Sequence, residues 1–184
     1  MPAISPSEFL CRMLYSRGYP TELAPSSMML HSTKMIAVPS PKQLQDYDMV
    51  LTNAVRSSNY NAVVYMQECG RSMNACNQFS ESTMHMACRR ANHDVVDYMI
   101  SHGGDVTIVD DSGRTPLHDA CWRTKPAFDV VTLLLDKNLD LLRCTDKREA
   151  LPLSFVRGEH WVHWCAYLFH QKDRYWPVVS SAAA

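Results

Sequence analysis

Ser82-Thr83-Met84-His85-Met86-Ala87-Cys88 returns 33 residues later as Thr115-Pro116-Leu117-His118-Asp119-Ala120-Cys121. His85 and His118, Ala87 and Ala120, and Cys88 and Cys121 all keep that spacing. A fixed period of this size marks a stacked repeat, in which no single unit buries a core alone. The unit is helical. Thr115 can cap a helix with its hydroxyl, and Pro116 fits the first helical position, where no N–H is needed. Leu117, Ala120 and Cys121 fall on one face at helical spacing, and the two small residues admit a second helix close by.

That second helix is read from Asp94-Val95-Val96-Asp97-Tyr98-Met99-Ile100 and from Asp129-Val130-Val131-Thr132-Leu133-Leu134-Leu135. Gly103 ends the first copy and Asn138 the second, since both residue types tolerate the left-handed conformation after a helix. Asp105-Val106 or Asp140-Leu141 follows. The polar turn Asp110-Asp111-Ser112-Gly113 then leads into the next capped helix.

From Ser82 to His118 this order of residues resembles the ankyrin repeat in one unbroken pass. The resemblance implies an all-α solenoid of helix-turn-helix units with short β-turn or hairpin connections. It also implies that the imidazoles of His85 and His118 tie adjacent turns together. Counting back 33 residues places Leu51-Thr52-Asn53-Ala54 and Ala62-Val63-Val64-Tyr65-Met66 in a degenerate first repeat, with Gly70 in the place of Gly103. Its first helix is expected to start early, with Ser40 as cap and Pro41 in the first turn. Counting forward, Leu151-Pro152-Leu153-Ser154-Phe155-Val156 opens a fourth repeat at an offset of 36, with a second helix over Val162 to Phe169. The expected repeats are 41–77, 78–110, 111–145 and 146–174.

Residues 1–40 precede the repeats. Ser5-Pro6-Ser7-Glu8 reads as a helix start, and Phe9, Leu10, Met13 and Leu14 form an apolar stripe ending at Gly18. The expectation is that this helix covers the open face of the first repeat. Tyr19 to Pro41 holds four of the ten prolines and reads as an irregular arm. Residues 175–184 read as a disordered tail.

Hydrophobic residues make up 46% and charged residues 20%, which places the chain among ordinary globular domains. No apolar run approaches the ~18–20 residues needed to span a bilayer. The Arg-poor N-terminal stretch reads as neither a signal nor a transit peptide. The net charge of −1 gives no global reason to bind nucleic acid. Seven cysteines without a Cys-x-x-Cys pair read as reduced thiols of a cytoplasmic or nuclear protein. Cys88, Cys121 and Cys165 are expected as small packed residues. His160, His163 and His170 share spacing that zinc would accept, but no second cluster supports a site. Neither metal nor cofactor is expected. There is no Gly-x-Ser-x-Gly, phosphate-binding loop or flanking carboxylate pair, so no catalytic residues are assigned.

In proteins of the resembled family, ligands meet the turn tips and the exposed side of each first helix. Carried over by register, that surface collects Arg56, Arg89, Arg90, Arg114 and Arg123, with Phe79 and Trp122 among them. Arg and aromatic side chains carry much of the energy at protein interfaces, and Arg grips carboxylate or phosphate through paired N–H groups. The expected partner is another protein, met through an acidic or phosphorylated segment by a monomeric chain. Phosphate-ligand binding, nucleic-acid binding and enzyme regulation are the alternatives. Arg89 and Arg90 otherwise only solvate their helix and pair with Asp111 or Glu81. The resemblance also implies that Asn74 sits where ankyrin proteins are hydroxylated at Asn.

Overall fold

The computed structural model describes residues 4–19, 30–31 and 38–179. Its helices are α1 (Pro6–Ser16), α2 (Pro41–Asp46), α3 (Met49–Arg56), α4 (Tyr60–Glu68), α5 (Thr83–Arg90), α6 (His93–Ser101), α7 (Pro116–Cys121), α8 (Phe128–Lys137) and α9 (Trp161–Tyr175). Short 3₁₀ helices cover Leu139–Arg143, Pro152–Phe155 and Gly158–His160. Two short strands, β1 (Leu30–His31) and β2 (Cys144–Thr145), pair in parallel. The fold is an all-α solenoid.

The first helices stack in chain order, α3 on α5, α5 on α7, and α7 on the 3₁₀ turn Pro152–Phe155. The second helices follow as α4 on α6 and α6 on α8. Phe128 of α8 meets Trp164 of α9 edge-on, and Thr132 bonds the Tyr167 hydroxyl at 3.0 Å, which continues the second row. Between the rows lies one core. Leu51, Val55, Val63, Met84, Ala87, Cys88, Val95, Val96, Met99, Leu117, Ala120, Val130, Val131 and Leu134 are fully enclosed in it. The helical stripes face inward because each short helix buries its apolar side only against its neighbours.

Side-chain caps fix the helix starts. Asp48 accepts from the Leu51 amide at 2.9 Å, Asn59 from Ala62 at 3.2 Å, and Asn92 from Val95 at 3.2 Å. Each satisfies a donor with no partner inside its helix. Gly103 follows α6 with φ +89°, as its sequence position demands. Gly104 lies deeper: a Cβ there would come 2.8 Å from the Met99 carbonyl oxygen.

Several expectations are corrected. Ser40 and Pro41 do start a helix, with a reciprocal cap between Ser40 and Gln43. That helix stops at Asp46, and Asp48 starts a second one. The break holds because the buried Asp46 carboxylate turns to the Ser72 amide at 2.9 Å and to Lys42 at 2.8 Å. Asn138 is extended, with φ −157°, and its side chain instead accepts from the Asp140 amide at 3.0 Å to start a 3₁₀ turn. The fourth repeat has a 3₁₀ turn as its first helix, and its second helix is longer than Val162 to Phe169 at both ends.

The first helix sits at the opposite end from the one expected. α1 packs on α9 and on Pro152–Phe155, in the last repeat. Leu10, Met13 and Leu14 are buried there, with Trp176 in the same core. Arg17 bonds Asp173 at 2.5 Å and donates to the Trp176 carbonyl. The Val179 amide donates to the Arg17 carbonyl at 2.9 Å, and the Tyr19 hydroxyl to that of Pro177 at 3.1 Å. Residues 175–179 are therefore seated, against the expectation of a disordered tail; the rest of that expectation, 180–184, lies outside the described residues. Of the expected irregular arm, only Tyr19, β1 and residues 38–41 are described.

Candidate functional site

The turn tips are three copies of one device. Asn77, Asp110 and Asp146 each bond across the tip. The Asn77 amide donates to the Glu81 carbonyl at 3.1 Å, Asp110 to Arg114 at 3.0 Å, and Asp146 to Ala150 at 3.0 Å. Each side-chain oxygen then accepts two tip amides, as Asp110 does from Ser112 at 2.9 Å and Arg114 at 2.8 Å. The fourth tip residue is left-handed each time: Ser80 (φ 59°), Gly113 (φ 79°) and Glu149 (φ 62°). Neighbouring tips are joined through Asp111 N–H to the Phe79 carbonyl and Lys147 N–H to the Ser112 carbonyl, both 2.9 Å. Register along the sequence places all three tips, but the polar turn is read there only in the glycine-containing copy; the shared bond pattern of Asn77, Asp110 and Asp146 comes from the structure.

His85 and His118 lock these tips to the helices. The Nδ1 of His85 accepts from the Ser82 amide at 3.2 Å, while its Nε2 meets the Arg114 carbonyl at 2.8 Å. The Nδ1 of His118 accepts from the Thr115 amide at 3.0 Å, and its Nε2 meets the Ala150 carbonyl at 3.2 Å. An acceptor at Nδ1 and a carbonyl at Nε2 define the neutral ring with its proton on Nε2. Burial pushes the pKa of both rings down, that of His118 to about 4. Thr115 caps α7 through a reciprocal box with His118: its hydroxyl meets His118 Nδ1 at 2.9 Å, and the His118 amide also donates to the Thr115 carbonyl at 3.0 Å.

The five arginines on the first-helix side divide into three groups. Arg89 pairs with Glu81 and, at 3.3 Å, with the buried Asp119. Arg114 pairs with the buried Asp110 at 2.6 Å. Three carboxylates thus outnumber two guanidiniums in this cluster. Burial raises Asp119 to about 6, and Arg89 and Arg114 offset that only in part. Arg123 donates to the carbonyls of Cys88 at 3.2 Å and Ala91 at 2.9 Å, and so ties the end of α7 to the end of α5. Of the five arginines expected to be available, Arg56 and Arg90 are the two left exposed and without an ion pair among the described residues. The internal pairing runs through Glu81 as expected, and through Asp110 where Asp111 was named.

The aromatic members stay at the surface. Phe79 is 54% exposed at the first of these tips, and Trp122 is 46% exposed just after α7. By contrast, Trp164 and Trp176 are buried.

The family model for ankyrin repeats, in three copies, matches residues 51–144. The chain belongs to the ankyrin-repeat family. A comparison with curated proteins finds no match. Ankyrin repeats act generally as protein-interaction modules, and the chain carries that role as a class.

Within this ankyrin stack, Asn74 is a bridge. Its side chain donates to the Gly103 carbonyl and accepts from the Asp105 amide, both at 2.7 Å, and so joins two repeats. Cys88 and Cys121 are buried, and burial pushes both thiols well up. Cys165 is only half-buried, toward the Ile4 carbonyl. His160 bonds the Thr124 carbonyl at 2.8 Å. Among the described residues, no group of three or more His, Cys, Asp or Glu is arranged to hold a metal ion. None of their helices is long and apolar enough to cross a membrane.

Proposed function

We propose that this chain is a non-catalytic adaptor, inhibitor or scaffold subunit that holds an acidic or phosphorylated segment of a partner protein along its first-helix side. Trp122 carries the reading. It is a large aromatic left in solvent beside a row of charged positions, whereas Trp164 and Trp176 are packed away. Exposed Trp and Arg are the residue types that anchor protein interfaces. Phe79 is a second anchor, and Arg56 and Arg90 supply cations not claimed by an internal carboxylate. Arg89, Arg114 and Arg123 hold the surface in shape. The protein acts as a monomer in the cytoplasm or nucleus.

Two unclaimed arginines are few for a phosphate backbone, which favours a protein segment over nucleic acid. A steep loss of affinity with salt across unrelated oligonucleotides would reverse that preference.

The test uses the intact chain as bait for affinity capture. Trp122→Ala and the pair Arg56→Glu/Arg90→Glu are expected to lose the captured partner while thermal stability changes by no more than about 0.5 kcal/mol. Arg89 is unsuitable for the swap, because Glu there would stand against Glu81 and Asp119. Retention of the same partner by both variants would overturn the assignment.

A further inference from the structure

A second surface lies on the second helices, away from the first-helix side. A groove of about 520 Å3 between α4 and α6 is lined by Tyr60, Asp94, Asp97, Tyr98, Ser101 and His102. The rings of Tyr60 and Tyr98 stand 5.4 Å apart and nearly perpendicular, at 74°. Tyr98 is held from three directions. Its hydroxyl donates to the Gln67 amide oxygen at 3.2 Å. The His102 ring stacks on it at 3.9 Å, and that ring is pinned by Nδ1 on the Tyr98 carbonyl at 2.8 Å.

The charges around this pair are one-sided. Asp94 and Asp97 lie one helical turn apart, both exposed, and no Lys or Arg lines the groove. Among the described residues Asp94 pairs only with His93, at 3.2 Å. Asp97 has neither an ion pair nor a hydrogen bond among the described residues. By contrast, Asp46, Glu81, Asp110, Asp119, Asp136 and Asp173 each have a Lys or Arg partner, which leaves Asp94 and Asp97 among the carboxylates that no cation of the described residues neutralises. A fixed pair of aromatic faces next to unneutralised carboxylates favours a cation with an apolar stem.

We propose that this groove binds a basic side chain, lysine or arginine, presented by a partner protein, with its stem against Tyr60 and Tyr98 and its charge at Asp94 and Asp97. The site is independent of the first-helix side, so a partner gripping there leaves it open.

The test is an NMR titration of the 15N-labelled full chain with Nα-acetyl-lysine methylamide, with the norleucine analogue as the uncharged control. Saturable amide shifts are expected at Tyr60 and across Asp94 to His102 with the lysine compound and not with norleucine. Asp94→Asn/Asp97→Asn is expected to weaken the response about fivefold, as is Tyr60→Leu. An equal response to norleucine, absence of saturable shifts at these residues, or a response that the variants leave unchanged would overturn the proposal. Variants at Arg56, Arg90 and Trp122 leave these shifts in place, so failure here is separable from failure of the first-helix reading.

Discussion

At the scale of single residues, two buried histidines and one buried aspartate set the response to acid. His118 titrates near 4 in the fold and near 6.5 unfolded. Between those values the unfolded chain binds a proton that the native ring does not. Its stabilisation is therefore fully present above about pH 6.5 and is lost as pH falls toward 4, by about 3 kcal/mol in all. His85 acts in the same direction. Asp119 acts against them: raised to about 6, it takes up its proton in the fold before the unfolded chain does, and so adds stability as pH falls through 6. The two effects offset one another across most of the same window. Asp119→Asn is expected to steepen the loss of stability between pH 6.5 and 4, read from urea midpoints at a series of pH values. An unchanged slope would show that Asp119 ionises normally.

The bridging role of the histidines was legible only as what the resemblance to the ankyrin repeat implies. The ionic cluster was not. Register placed Arg89 and Arg114 on one side of the stack, but their partners Asp119, Glu81 and Asp110 come from tips and helices whose approach is set only by packing. A surface read from register overcounts its free charges for that reason.

At the scale of elements, the turn tips share one geometry and differ in how well their residues suit it. Gly113 meets the left-handed position without cost, whereas Glu149 holds φ 62° with a side chain. The Glu149 carboxylate has no ion pair among the described residues. Glu149→Gly is expected to raise stability by about 0.5–1 kcal/mol, seen as a higher denaturation midpoint. A lower midpoint would mean that the side chain contributes more than the backbone strain removes. Helix identities in the two central repeats followed directly from capped, periodic segments. The split of the first repeat did not, because Pro41 to Arg56 reads equally well as one helix until Asp46 is seen turning to the Ser72 amide. Asn138 likewise tolerates a left-handed turn and is diverted by capping the next one.

At the scale of the whole molecule, the stack closes on itself at one end. There α1 covers α9 of the last repeat, Arg17 and Tyr19 behind it bond to Trp176, Pro177 and Val179, and β1 joins β2 at the last tip. The other end keeps Leu44, Met49, Val50 and Tyr65 in solvent. The apolar stripe of α1 was plain in the sequence, but a stripe is equally able to cover either end. The choice is made by Arg17 with Asp173 and by Trp176, contacts that span most of the chain. Solenoids need such covers because their terminal units otherwise face water with half a core.

Native-state hydrogen exchange on the intact chain carrying Leu14→Ala tests this architecture most directly. The lost packing, about 2–5 kcal/mol, is expected to speed exchange in α1 and α9 while α3 and α4 keep their protection. Faster exchange in α3 and α4 with α9 unchanged would place the helix on the first repeat and contradict the account.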